Sequence, residues 1–76
     1  MKKTLDCYET GMLIRKMCEK KGMTAGSVAD NLNVSQQTVY SWYSAKKLPT
    51  LDHLVELADI LNVTMDELVA TKGWAG

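Results

Sequence analysis

Net charge of either sign is the first thing this 76-residue sequence lacks, because nine Lys and Arg offset nine Asp and Glu. A basic excess is the usual footprint of a nucleic-acid binder, so its absence argues at first sight against one. Proline occurs once and glycine five times, too few for a turn-dense β-sandwich, while 46% hydrophobic residues exclude disorder. No apolar run approaches the ~20 residues of a membrane span, and the start, Met1-Lys2-Lys3-Thr4-Leu5-Asp6, lacks the apolar stretch of a signal peptide. A soluble cytosolic protein with no membrane partner is expected. Cys7 and Cys18 stand eleven residues apart without C-x-x-C spacing, and the single His53 has no cysteine near it. That leaves no set of metal ligands and favours reduced thiols, with Cys18 as a small core residue. A Gly-rich phosphate loop, a His/Cys/Asp cluster and a carboxylate pair are all missing, so neither an enzyme nor a cofactor is expected.

What is present is helical periodicity. The spacing predicts a compact all-α domain of five helices over residues 1–76, with its core over about 10–70. In the first helix, about residues 6–21, Met12 or Leu13, Ile14, Met17 and Cys18 recur at three- and four-residue steps, opposite Arg15, Lys16, Glu19 and Lys20. Gly22 ends it and Thr24 caps the second helix, about 24–32, whose apolar set is Val28, Ala29 and Leu32. Ser35 caps the third, about 35–44, where Val39 and Trp42 or Tyr43 point inward and Gln36, Gln37, Tyr40, Ser41 and Ser44 point elsewhere. Pro49 enforces a loop at Lys46-Lys47-Leu48-Pro49. Thr50 then caps a fourth helix with Leu51, Leu54, Leu57, Ala58 and Leu61 inside. Thr64-Met65-Asp66-Glu67 fits a capping box for a short fifth helix carrying Leu68 and Val69, after which Gly73-Trp74-Ala75-Gly76 frays.

Two further patterns bear on function. Val28-Ala29-Asp30-Asn31-Leu32-Asn33-Val34-Ser35 recurs as Leu57-Ala58-Asp59-Ile60-Leu61-Asn62-Val63-Thr64, which describes two tight corners of the same design, each a helix, an Asn turn and a capped helix. Such a corner is the frame of a helix-turn-helix. The zero charge is also a sum of opposed parts. Residues 1–47 hold eight basic and four acidic residues, a balance of +4, whereas residues 48–76 hold one and five, a balance of −4. Gln36, Gln37 and Thr38 follow the first corner in the basic part, and Met65, Asp66 and Glu67 follow the second in the acidic part, so only the first corner suits a phosphate-lined groove.

Over roughly residues 12–70 the chain resembles the phage Cro/repressor-type (XRE-type) helix-turn-helix DNA-binding family. Ile14-Arg15, Gly22-Met23-Thr24, Val28-Ala29, Leu32-Asn33-Val34-Ser35, Gln36-Gln37-Thr38-Val39, Trp42, Pro49, Leu54, Ala58, Leu61-Asn62-Val63 and Leu68 fall in step with that family's five-helix pattern without insertions. The resemblance implies that the third helix enters the major groove and that Gln36, Gln37, Tyr40 and Ser41 read base edges. A Gln amide donates and accepts at once and pairs bidentately with adenine; a solvated first turn is the plainer account of the same residues. Phosphates are expected at the helix N-termini capped by Thr24 and Ser35, and the family's second backbone clamp matches Lys46, Lys47 and Thr50. Lys20 and Lys21 either add to this field or form an ordinary solvated charge run.

Three departures from the family stand out. Ala25 replaces a Gln that in many relatives bonds both a phosphate and the first Gln of the third helix. Cys18 and Tyr43 replace an Arg and Glu pair, and since a lone buried charge is costly while a neutral pair is not, the two residues should be neighbours. Ala45 replaces the Gly by which relatives leave the third helix, which would let that helix run on toward Lys46. The function implied is that of a sequence-specific regulator of transcription on double-stranded DNA, a repressor by preference. One module covers only about 600–1,000 Å² of DNA, so a homodimer is expected. Its surface would be formed by Leu68, Val69 and Trp74, unless those residues complete the monomer's own core. The alternative is a protein-interaction module on the same fold, such as an antitoxin, that docks a protein partner through its acidic C-terminal half and binds DNA weakly or not at all.

Overall fold

The computed structural model describes residues 2–74, with the backbone alone for 2, 3 and 72–74. Strand β1 (Lys2–Leu5) is followed by helices α1 (Cys7–Lys20), α2 (Ala25–Leu32), α3 (Gln36–Tyr43) and α4 (Leu51–Leu61), a short 3-10 helix (Met65–Leu68) and strand β2 (Thr71–Trp74). The domain is therefore all-α in its body. Four α-helices and one 3-10 turn stand where five helices were expected.

Local chemistry accounts for the helix ends. Asp6, Thr24, Ser35 and Thr50 each occupy an N-cap, and the side chain of each accepts an N–H three residues on, from Glu9, Ser27, Thr38 and His53 at 3.0–3.2 Å. α1 closes with Gly22 at φ 74°, its N–H reaching Glu19 O and that of Met23 reaching Cys18 O, so that two otherwise orphaned carbonyls are satisfied. The two corners that echo in sequence are also alike in space. Asn33 and Asn62 both lie in the left-handed region (φ 57° and 55°), and the N–H of the following Val reaches back to Ala29 and Ala58 respectively, at 3.0 Å in each case.

The core unites one stripe from every helix: Ile14 and Cys18 of α1, Val28, Ala29 and Leu32 of α2, Val39 and Trp42 of α3, Leu57, Ala58 and Leu61 of α4, and Leu68. Because Leu68 is fully buried inside the monomer, it offers nothing to a second copy. Leu51 departs from expectation in the other direction and is 68% exposed. Its phase on α4 is near that of the buried stripe, but it sits in the first turn, beyond the reach of the elements packed on that helix.

The termini differ most from the sequence reading. Residues 71–74 do not fray but pair antiparallel with residues 2–5, in the register Lys2 to Trp74 through Leu5 to Thr71. The joint is built at Thr10, whose side chain is 1% exposed: its hydroxyl donates to Ala70 O and accepts from Ala70 N–H, while Asp6 N–H also donates to Ala70 O. Residues 75 and 76, and the Trp74 side chain proposed above as cover or partner surface, lie outside the described residues. The ribbon also reduces the charge contrast. Strand β1 pairs the backbone of residues 2 and 3 with residues 74 and 73 of the C-terminal part, and counted with that part they leave six cations against four anions over residues 6–47 and three against five in the remainder.

Helix α3 does not run on toward Lys46. It ends at Tyr43, and Ala45 adopts φ 63°, the left-handed turn that Gly usually supplies. The N–H of Ala45 bonds Trp42 O and that of Lys46 bonds Ser41 O, the same closure that Gly22 gives α1. An L-residue in that conformation carries a steric cost of about 1–2 kcal/mol, partly offset by the lower unfolded-state entropy of Ala. Ala45→Gly should therefore stabilise the protein by about 1 kcal/mol, raising the melting temperature by roughly 4–8 °C in a thermal scan. A lower melting temperature would show that the turn is unstrained.

Candidate nucleic-acid interface

α2 and α3 form the helix-turn-helix, joined through Asn33, Val34 and Ser35. Val39 and Trp42 fix the rotation of α3 by burying one side of it, which leaves Gln36, Gln37 and Tyr40 exposed on the other. Tyr40 is 54% exposed although large and partly apolar. Its ring is met edge-on by Tyr43, centroids 6.1 Å apart at 82°, a favourable aromatic geometry that braces Tyr40 in place.

Tyr43 in turn is a neighbour of Cys18. The phenol and the thiol are close enough to perturb each other, so the pair that replaces Arg and Glu does meet. Burial is the first cause pushing the Cys18 thiol above its ordinary range, and burial followed by the Cys18 contact pushes the Tyr43 phenol up as well. Both groups are therefore held neutral in the fold. A group whose pKa is raised on folding contributes stability that is complete below its unfolded pKa and is lost as pH rises toward the folded value. Urea denaturation should accordingly show stability constant near pH 7 and falling above about pH 9, by at most about 1.4 kcal/mol per pH unit for each group. In Cys18→Ala the loss should begin about one unit later, where tyrosine ionises; an unchanged onset would remove Cys18 as its source.

Two adjoining grooves gather several of the candidate residues. The larger, about 760 Å³, runs between the end of α1, the start of α2 and the outer side of α3, and is lined by Arg15, Glu19, Thr24, Ala25, Tyr40, Tyr43 and Lys46 among others. The smaller, about 250 Å³, is lined by Gln37, Tyr40, Ser41, Ser44 and Lys46. Thr24, Gln37, Tyr40, Ser41 and Lys46 thus share one continuous surface, and the short side chain of Ala25 stands at the wall of the larger groove. The Gln36 amide lies against Gly26. Lys47 is exposed but lines neither groove, and neither do Ser35 and Thr50, whose hydroxyls serve as caps. Ser41 is half-buried, and its hydroxyl donates to Gln37 O at 2.9 Å, leaving it an acceptor for any incoming donor. Thr38 shares a hydrogen bond with the Ser35 hydroxyl at 2.9 Å and so belongs to the cap of α3.

The cations around this surface differ in freedom. Arg15 pairs with Glu19 one turn on, at 3.3 Å with both side chains exposed, whereas Lys46 has no ionic partner among the described residues. Lys46 and Thr24 therefore offer an unneutralised charge and a helix N-terminus on the same groove. Gly26 and Gly11 are the residues that sequence reasoning passed over. A glycine within an otherwise helical pattern is the signal that could have found both. No described helix is long and apolar enough to cross a membrane.

Comparison with known proteins agrees with this frame. The helix-turn-helix family model matches residues 14–68. The Cryptic phage CTXphi transcriptional repressor RstR of Vibrio cholerae is 36% identical over 45 residues, 59% of this chain, and the match spans 40% of that repressor's length. The crystal structure of the restriction-modification controller protein C.AhdI from Aeromonas hydrophila superimposes with a TM-score of 0.77 over 83% of this chain and 96% of that one, at 21% identity, a likeness of fold. With the family model covering the corner, the helix that follows it and every core stripe, the chain belongs to the XRE-type helix-turn-helix family of DNA-binding regulators.

Proposed function

We propose that this protein is a sequence-specific regulator of transcription, a repressor by preference, that binds double-stranded DNA as a homodimer with α3 in the major groove. The observation that carries the reading is the polar, uncharged and exposed side of α3, with Thr24 at one flank and the unpaired Lys46 at the other. Gln36 and Gln37 would read base edges through their amides, Tyr40 and Ser41 would extend the contact along the groove, and Thr24, Ser35, Lys46, Lys47 and Thr50 would hold phosphates through helix N-termini and point charge. Helix-turn-helix modules reach physiological affinity by pairing on two half-sites. The large apolar side chains left exposed among the described residues are Leu5, Tyr8, Tyr40, Leu51 and Val55, of which Leu51 and Val55 lie one turn apart on α4 and are the best-placed area for a second copy.

A gel-retardation series on mixed-sequence DNA tests the reading at its base. Binding should be detectable at about 50 mM salt and weaken steeply as salt rises, because each neutralised phosphate releases counterions. Selection from random DNA should then return a two-fold symmetric site. Absence of retardation even at low salt would favour the alternative, an interaction module that docks a protein through α4. One observation supports that second reading: Leu51 and Val55 stand exposed on α4, flanked on one side by the exposed Asp52, Glu56 and Asp59, an apolar patch with negative charge along one edge.

A further inference from the structure

The first turn of α2 contains a glycine that neither the helix nor its cap requires. Gly26 works against the helix it sits in, since glycine loses most backbone freedom on folding. It is not among the positive-φ residues, so no turn geometry calls for it. What it provides is room beside α3. A Cβ at position 26 would stand 3.1 Å from Gln36 Nε2 and 3.7 Å from Gln36 Cδ, with Thr24 Oγ1 at 3.9 Å. The Gln36 amide therefore rests on the backbone of α2 in the space that a side chain would occupy, beside the hydroxyl that caps that helix. The Gln36 side chain has no hydrogen-bond partner among the described residues, and Ala25 next to Gly26 is too short to supply one.

We infer that Gly26 is a specificity-determining positioning residue, which seats the Gln36 amide against α2 so that it meets DNA in one orientation. This deepens the reading of α3 as the DNA-reading helix and rests on it. The physical reason is preorganisation. A free glutamine must give up the freedom of its side-chain torsions when it pairs with a base, whereas one already seated has lost part of that freedom beforehand. The contact that Gly26→Ala would crowd is the far end of a flexible, exposed side chain, so the fold can yield there while the orientation of the amide cannot be kept.

Gly26→Ala separates the two effects. Its thermal stability should equal or exceed the parent's, because alanine favours the helix. Its affinity for the selected site should fall about tenfold, with broadened preference at the base position that Gln36→Ala also relaxes, while binding to mixed-sequence DNA and its salt dependence stay unchanged. In a Gln36→Ala background the same Gly26→Ala change should leave affinity unaltered. Side-chain amide relaxation by NMR gives a readout without DNA: the Gln36 NH₂ should be more ordered than that of Gln37 in the parent and equal to it in Gly26→Ala. Equal order of the two amides in the parent overturns the proposal whatever the DNA result. So does an unchanged base preference in Gly26→Ala, or a loss of affinity that persists without Gln36. If the parent shows ordered Gln36 but no sequence preference, the seat exists and has no role in specificity, and it is the DNA-reading assignment itself that has failed.

Discussion

Gly11→Ala should lower the stability of the domain by about 2–3 kcal/mol, although propensity alone would have alanine improve an α-helix by roughly 0.5–1 kcal/mol. Gly11 is buried in α1 where that helix crosses the end of α3. A Cβ there would collide with the Trp42 carbonyl oxygen and would also stand 3.1 Å from the Tyr43 carbonyl oxygen and 3.4 Å from the Ala45 nitrogen. All three obstacles are backbone atoms, at the very turn where Ala45 takes its left-handed conformation, so no rotamer change relieves the clash. The helices must move apart, which loosens Trp42 from the core and with it the rotation of α3. Such a loss is a large share of the roughly 4–11 kcal/mol that a domain of this size possesses. Urea and thermal denaturation would check it. A Gly11→Ala protein as stable as the parent would mean that α1 and α3 are not in such close contact. The comparison with Gly26→Ala is informative, because the same substitution in a neighbouring helix meets only a movable amide.

The double change Gln36→Ala and Gln37→Ala should reduce affinity for the selected DNA site by about 30-fold or more while leaving the fold intact. Each good bidentate pair contributes about 1–3 kcal/mol of discrimination, so two of them together amount to a factor of roughly 30 at the low end and well over 1,000 at the high end. Stability should hardly change, because both residues are exposed, neither side chain has a hydrogen-bond partner among the described residues, and alanine suits a helix. Binding to mixed-sequence DNA should survive with its salt dependence, since the phosphate contacts lie elsewhere, on Thr24, Lys46 and their neighbours. Retention of full site-specific affinity in the double variant would remove the two glutamines from base readout and move the search to Tyr40 and Ser41.

Much of the fold was legible because its determinants are local. Thr24, Ser35 and Thr50 cap helices through their own hydroxyls, and Asn33 and Asn62 turn corners through their own backbone preference, so a window of a few residues contains cause and effect. The terminal ribbon had no such window. Its strands are four residues long and separated by most of the chain, and their pairing depends on Thr10 meeting Ala70 across the fold. Leu51 misled because periodicity reports the side of a helix on which a residue lies, and not whether another element extends far enough to cover it. Ala45 left the end of α3 open in the sequence: its propensity favours continuing the helix, but closure of the α3 carbonyls by Ala45 and Lys46 outweighs it.

The candidate site divides along the same line. That Gln36, Gln37 and Tyr40 face outward follows from the phase of Val39 and Trp42 and could be read from the sequence. That Tyr40 is braced by Tyr43, that Gln36 rests on Gly26, and that Thr24 shares a groove with Lys46 could not, because each joins residues whose approach is set by how α1, α2 and α3 cross. The charge balance shows both halves of the lesson. By sequence alone the chain divides into +4 and −4, and the sign of each part stands. Only the pairing of β1 with β2 decides that the strand bearing two of the lysines joins the C-terminal part, because charge is counted along a chain but its field acts through space.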